Sequence, residues 1–240
     1  MKITRSIAAA TAGAAVLVLA GGQAAMAATP RPANAVNATC SAAALSYVQA
    51  RVGLAVSKRE LTIGQLTGAL SQRTHVTDAH RATLTGLFTT DAAGLQAVNA
   101  TVHSDTTCKQ AVTDGRTVVT NYRVYMLLVP QAHLVAASDT GTYGAGRLTA
   151  VEPKLQKGID AIADPTKKAQ AQAAFDDLVA QAKTATDDFA DVADTTLALT
   201  PAEMPAAQST VDVERAKVTS GHTALATALQ DAKMIQSLLG

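Results

Sequence analysis

Tryptophan is absent and aromatic residues make up only 3% of the chain. A sugar-binding surface of stacked indoles is therefore excluded, and the core must be built from Ala, Leu, Val and Ile. Cysteine is nearly absent too: Cys40 and Cys108 are far apart with no CxxC spacing, which argues against a redox-active or metal-binding pair. Neither sign of charge dominates, since 20 Lys and Arg face 19 Asp and Glu. Nothing marks a nucleic-acid or anionic-membrane binder. No GxSxG, HExxH or CxxCH motif occurs, and five scattered His assemble no triad. Beyond residue 27, no apolar run reaches the roughly 20 residues that a membrane span needs.

What is present begins with the first residues. Lys2 and Arg5 precede an uncharged run from Ile7 to Ala20, and Ala25-Met26-Ala27 offers small side chains at a signal-peptidase site. Residues 1–27 therefore read as a signal peptide. Leu19-Ala20-Gly21 is followed by Gly22 rather than Cys, so no lipid anchor is expected. Residues 28–39, with Pro30 and Pro32, read as a flexible linker. The expected location is secreted or extracytoplasmic. Loss of Lys2 and Arg5 leaves 18 basic residues against 19 acidic ones, a net charge of about −1.

The remainder, 40–240, is long enough for one domain with a real core. Helix periodicity runs through it, with no strand alternation. The spacing predicts helices over about 41–73, 78–103, 106–137, 149–163, 165–195 and 206–238. The fold class is all-α: an elongated antiparallel helical bundle of two stacked, coiled-coil-like hairpins plus a kinked central helix, with one disulfide. In the first helix the seam reads Leu45, Val48, Val52, Val56, Arg59, Ile63, Leu66 and Leu70; in the second, entered through Thr77 as N-cap, it reads Leu84, Phe88, Asp91, Leu95, Val98 and Val102.

An antiparallel hairpin pairs residues at equal distance from its turn, because both helices rise equally per residue. Val56 then faces Leu95, Val52 faces Val98, and Val48 faces Val102. The same register sets Arg59 opposite Asp91, predicting a structural ion pair that fixes the hairpin. Cys40 and Cys108 arrive at the open end, where an oxidising compartment favours a disulfide.

The third segment is locally unusual. Val124 to Val129 is apolar on all sides, as in a centrally buried helix, and Pro130 cannot donate to the carbonyl of Met126, so a kink is expected there. A loop is expected over 138–146, followed by a capping box at Thr149-Ala150-Val151-Glu152. Asp164-Pro165 reads as N-cap and first helical residue. The later seams are Phe175, Leu178, Ala182, Ala185, Phe189 and Val192, then Val211, Val218, His222, Leu225 and Leu229.

The block YRVYMLLVPQAHLVAASD at Tyr122 to Asp139, with the LTPAEMP turn at Leu199 to Pro205, resembles a family of uncharacterised exported helical proteins from actinobacteria. That resemblance implies fold and export. It carries no activity, so no catalytic residue follows from it.

Asp139-Thr140-Gly141 matches the aspartic-protease tripeptide, but that mechanism needs two carboxylates between β-rich lobes, so a loop is expected. His75 and His80 are not spaced as a helix-face metal pair, and the carboxylates Asp187, Asp191 and Asp194 read as a solvated face. Neither a metal nor a cofactor is expected. Tyr122, Arg123, Tyr125 and His133 are the best candidates for a ligand pocket, as polar groups beside a kinked apolar helix. Two readings follow: a non-catalytic exported bundle binding a cell-envelope or protein partner through a helix face, or a small-ligand or metal-binding bundle using the Pro130 helix. An enzyme is not expected.

Overall fold

The computed structural model describes residues 40–240, which form one unit. The expected signal peptide and linker over 1–39 lie outside the described residues. Helix α1 (Ala42–Ser71) starts at Ser41, whose hydroxyl accepts the Ala44 N–H at 3.1 Å. Helix α2 (Asp78–Ser104) starts at Thr77, whose hydroxyl accepts the His80 N–H at 3.2 Å. Each such cap satisfies an end donor that the helix cannot satisfy itself. Their buried residues are the predicted seams, Val56, Ile63, Leu66 and Leu70 against Leu84, Phe88, Leu95 and Val102. The register also agrees, because the Gln49 side chain donates to the Val102 carbonyl at 3.1 Å and Gly53 lies against Asn99.

The Cys40–Cys108 disulfide closes the hairpin's open end with the Cα atoms 5.6 Å apart. Cys108 opens α3 (Cys108–Thr120), which buries Ala111 and Val118 and brings Gly115 under Val52 of α1.

From here the chain departs from expectation. The helix expected over 106–137 ends at Thr120, and Arg123 turns the backbone into the left-handed region at φ 47°. A π-helical turn, Val124–Leu128, then leads into α4 (Val129–Asp160). The Val129 N–H donates to the Val124 carbonyl, five residues back. The break thus falls before Pro130 rather than on it. Pro130 directly follows the π-turn, with the backbone helical through Leu128 and Val129, so its ring and missing N–H are accommodated beside a widened turn.

Helix α4 runs through the loop expected over 138–146 and through the supposed capping box, so the expected helix over 149–163 is only its second half. Ser138, Asp139 and Gly141 are buried within it. Composition misled here, because the glycines are contact points rather than turn formers. A Cβ on Gly141 would overlap the Phe189 ring, and one on Gly144 would lie 3.3 Å from Leu225 Cδ1.

Helix α5 (Pro165–Phe189) is capped by the Asp164 carboxylate, which accepts the N–H groups of Thr166 and Lys167. It stops at Ala190, short of the expected 195, because Asp191 adopts φ 59°. The short α6 (Val192–Leu197) follows, then a 3-10 turn (Pro201–Glu203) and α7 (Ala206–Leu239). Helices α4, α5 and α7 pack on one another, with Gly144 near Leu225 and Gly158 near Leu239, so α4 and α7 run parallel with α5 antiparallel to both. Alanines 171, 174, 182, 185, 224, 228 and 232 line this contact, letting the helix axes approach closely. No helix among the described residues is long and apolar enough to cross a membrane.

Candidate functional site

The π-turn and the two residues before it hold three of the four residues singled out in the sequence, Tyr122, Arg123 and Tyr125. Tyr122 lies against Gly94 of α2, where a Cβ would overlap its ring. Burial, and then the charge of Asp91, push its hydroxyl pKa up. Tyr125 sits under Arg59 of α1, with the guanidinium carbon 5.1 Å from the ring centroid. Arg123 turns back on its own segment, its Nε donating to the Thr120 carbonyl at 3.2 Å and its Nη1 reaching Met126 Sδ at 3.9 Å.

The predicted Arg59–Asp91 ion pair is not made: no oxygen of Asp91 comes within 4 Å of an Arg59 nitrogen. Arg59 instead stacks on Tyr125 and donates through Nη1 to the Ala55 carbonyl at 2.9 Å, leaving its Nε without a partner. Equal depth in a hairpin does not guarantee contact, because the Tyr125 ring takes the carboxylate's place against the Arg59 guanidinium. Burial then lifts the unpaired Asp91 carboxyl from 3.8 to about 6.

A carboxyl that holds its proton more tightly when folded loses stability as pH rises through the folded value. The contribution is fully present below pH 3.8 and gone above about 6. Such a rise corresponds to ~3 kcal/mol for a fully buried group, and solvent around the half-buried Asp91 reduces it to about 1–2 kcal/mol. Asp91→Asn is expected to stabilise the protein by that amount at pH 7.5 and to leave it unchanged at pH 3.5. Urea unfolding at the two pH values checks this; a destabilised variant at pH 7.5 would mean that the carboxylate has a partner.

His133 lies apart from the other three. It borders a cleft of about 30 Å³ with Leu66, Leu70, Arg73 and Ala136, and burial, then Arg73, push its pKa down. Such a volume holds a single water, whereas ligand sites are roughly ten times larger or more. Tyr122 faces α2, Tyr125 faces α1, and His133 faces the C-terminal end of α1, so the expected common pocket of Tyr122, Arg123, Tyr125 and His133 is not formed.

A different cluster, whose Asp139 was expected in a loop and Asp194 on a solvated face, joins three helices. The turn between α1 and α2 rests on α4: Val76 is buried, and the His75 ring stacks on Tyr143 at 3.8 Å and 11°. The Asp139 carboxylate, 8% exposed, accepts the Thr77 N–H at 2.9 Å and His80 Nδ1 at 2.9 Å. It therefore caps α2 from another helix. His80 Nε2 meets the Asp194 carboxylate of α6 at 3.2 Å. Burial lowers the His80 pKa, but the hydrogen bonds and charges of Asp139 and then Asp194 outweigh it, for a net rise above 6.5. No sequence spacing links positions 80, 139 and 194. The available signal was a buried polar run, Ser138-Asp139, inside a helix.

Among the described residues no group of three or more His, Cys, Asp or Glu side chains is placed to hold a metal ion. A His–carboxylate dyad can move protons for a reaction only where substrate reaches the free nitrogen. Here Asp194 occupies it, so the arrangement is one of fastening.

The remaining unusual surface is the outer face of α1, turned away from the core. Tyr47, Leu54 and Leu61 recur every seven residues and are 64%, 54% and 65% exposed. Ala50 and Ser57 lie between them and Gly64 and Gly68 follow, all exposed, which completes the alternating three- and four-residue spacing of a coiled-coil seam. Nothing lies within 4 Å of where a Cβ on Gly64 or Gly68 would be. An exposed mid-helix glycine such as Gly64 costs about 1 kcal/mol relative to alanine, and packing within this chain gives no reason for it. Arg51 and Lys58 flank one side of the seam, Arg51 lying 6.0 Å from the Tyr47 ring centroid, and Glu60 flanks the other. Compared with known proteins, the chain matches no protein-family model, no curated protein and no solved structure.

Proposed function

We propose that this is an exported, non-catalytic interaction protein that recognises a helix of a cell-envelope or extracellular protein on the outer face of α1. The carrying observation is the exposed seam of Tyr47, Leu54 and Leu61 alternating with Ala50, Ser57, Gly64 and Gly68. Large and small side chains alternate on it, so a partner helix would seat bulky residues over Ala50, Ser57 and the glycines. The signal-like residues 1–27 and the disulfide support an extracytoplasmic location, as does the resemblance to exported actinobacterial proteins.

Charge selects the partner's chemistry. Arg51 and Lys58 stand one above the other on the same flank, so the partner is an amphipathic helix with acidic residues on the matching side. A second copy fits poorly. The antiparallel arrangement that seats large residues over small ones would set Arg51 against Lys58 of the other chain, a like-charge contact.

Photo-cross-linking from position 54 in the intact secreted protein, in its producing cells, tests this. The expected result is one discrete product from positions 54 and 61, mapping to an acidic helical segment, absent from the exposed α5 control position Ala173, and lost in the Arg51→Glu/Lys58→Glu variant. Equal labelling from position 173, a product joining two copies of this chain, or indifference to the charge reversal would overturn the reading.

A further inference from the structure

Both ring nitrogens of His80 are met by carboxylates, and each carboxylate comes from a different helix. Asp139 of α4 takes Nδ1 at 2.9 Å and Asp194 of α6 lies 3.2 Å from Nε2. A neutral imidazole has one N–H and one lone pair, so it can donate to only one of them. Asp139 is buried and already committed, since it also accepts the Thr77 N–H that begins α2. The Nδ1 proton therefore stays with Asp139. The bond to Asp194 exists only when Nε2 is protonated as well, and in the neutral ring the Nε2 lone pair would face a carboxylate.

We propose that His80 is a proton-operated latch that fastens α6, through Asp194, to the N-terminal turn of α2. The proposal is independent of the docking role assigned to α1. Asp194 suits a releasable partner, being 82% exposed with a carboxylate that bonds nothing else among the described residues. Other charged groups at this junction do not replace it. Asp78 lies in the same turn of α2, Asp191 precedes α6, and Arg73 follows α1. Arg81 spends its guanidinium on the carbonyls of Leu70, Arg73 and Val76. The His75 ring is stacked on Tyr143.

Opening weakens the attachment of α6 without detaching it. Val192, Ala193 and Thr196 remain buried, and the Gln131 side chain donates to the Thr196 and Leu199 carbonyls at 2.9 and 3.0 Å. The His80 pKa is raised, so the latch's contribution is complete below the ordinary value of 6.5 and is lost as pH rises through the higher folded value. It is closed in mildly acidic surroundings and open in alkaline ones.

Hydrogen exchange over residues 190–199 tests this, with rates corrected for the intrinsic effect of pH and read between pH 5.5 and 8.5. Wild-type protection should fall at least fivefold across that range, with a midpoint matching the His80 titration followed by NMR. Asp194→Asn, at an exposed position, should fold normally, abolish the step and lower the apparent His80 pKa. His80→Gln should also abolish the step. His133 and His222, whose pKa values are pushed down by burial first of all rather than up, should titrate on the acid side of His80 and serve as internal controls. Flat wild-type protection, or a step of equal size in Asp194→Asn, would overturn the latch.

Discussion

Replacing Gly141 with alanine is expected to destabilise the protein by about 3 kcal/mol, the upper part of the range for overpacking a filled core. The added methyl would overlap the Phe189 ring, and that ring cannot retreat. Phe189 is 3% exposed, and on its other side Gly221 of α7 approaches so closely that a Cβ there would lie 2.8 Å from the ring. One aromatic side chain thus fills the space left by two glycines on two parallel helices. Gly146→Ala, five residues along the same helix, should have the opposite sign. Nothing lies within 4 Å of its Cβ position, so better helix propensity should stabilise by about 0.8–1 kcal/mol. Urea unfolding of the two variants checks the pair. Effects of the same sign would mean that α4 is not a continuous helix through this region.

Removing the disulfide should cost more. In the chain-entropy model, closing the loop from Cys40 to Cys108, a sequence separation of 68, stabilises by roughly 4 kcal/mol through the unfolded state. The bond also holds the start of α3 to the entry of α1, so α3 should lose amide protection before the rest. Thermal unfolding of the Cys40→Ser/Cys108→Ser variant should show a midpoint lower by about 8–16 °C, given 2–4 °C per kcal/mol for a domain of this size. An unchanged midpoint would mean that the half-cystines contribute no cross-link in solution.

How much of this was legible in the sequence depends on the kind of information each feature needs. The α1–α2 hairpin was readable in detail because it is local: the Thr77 cap, both seams and the register all follow from periodicity across one turn. The disulfide followed from the same register. Helix α4 was misread because Gly141 and Gly144 were judged by propensity, whereas their place is set by Phe189 and Leu225 from helices far along the chain. The break at Arg123 was displaced for a related reason. Pro130 announces that a backbone donor is missing, but a helix can meet that either by kinking at the proline or by widening the turn before it, as the π-turn does here.

The candidate sites divide in the same way. Arg59 and Asp91 share a depth in the expected register but form no ion pair, because the ring of Tyr125, from an element outside the hairpin, takes the guanidinium. Tyr122 and Tyr125 were rightly singled out as unusual, but they serve as packing partners for α2 and α1. His80, Asp139 and Asp194 come together only through the docking of the first hairpin on α4 and α6, which no spacing along the chain encodes. The outer seam of α1 was fully present in the sequence as a second heptad stripe on the opposite face. It was passed over because the buried stripe already explained the helix.

Recognition by an exposed helix face rather than by a pocket is the central claim, and native mass spectrometry of the purified protein tests it most directly. The predicted species is a single disulfide-closed chain with no bound small molecule or metal. A stoichiometric small-molecule or metal adduct, or a dimer of this chain persisting at nanomolar concentration, would contradict it.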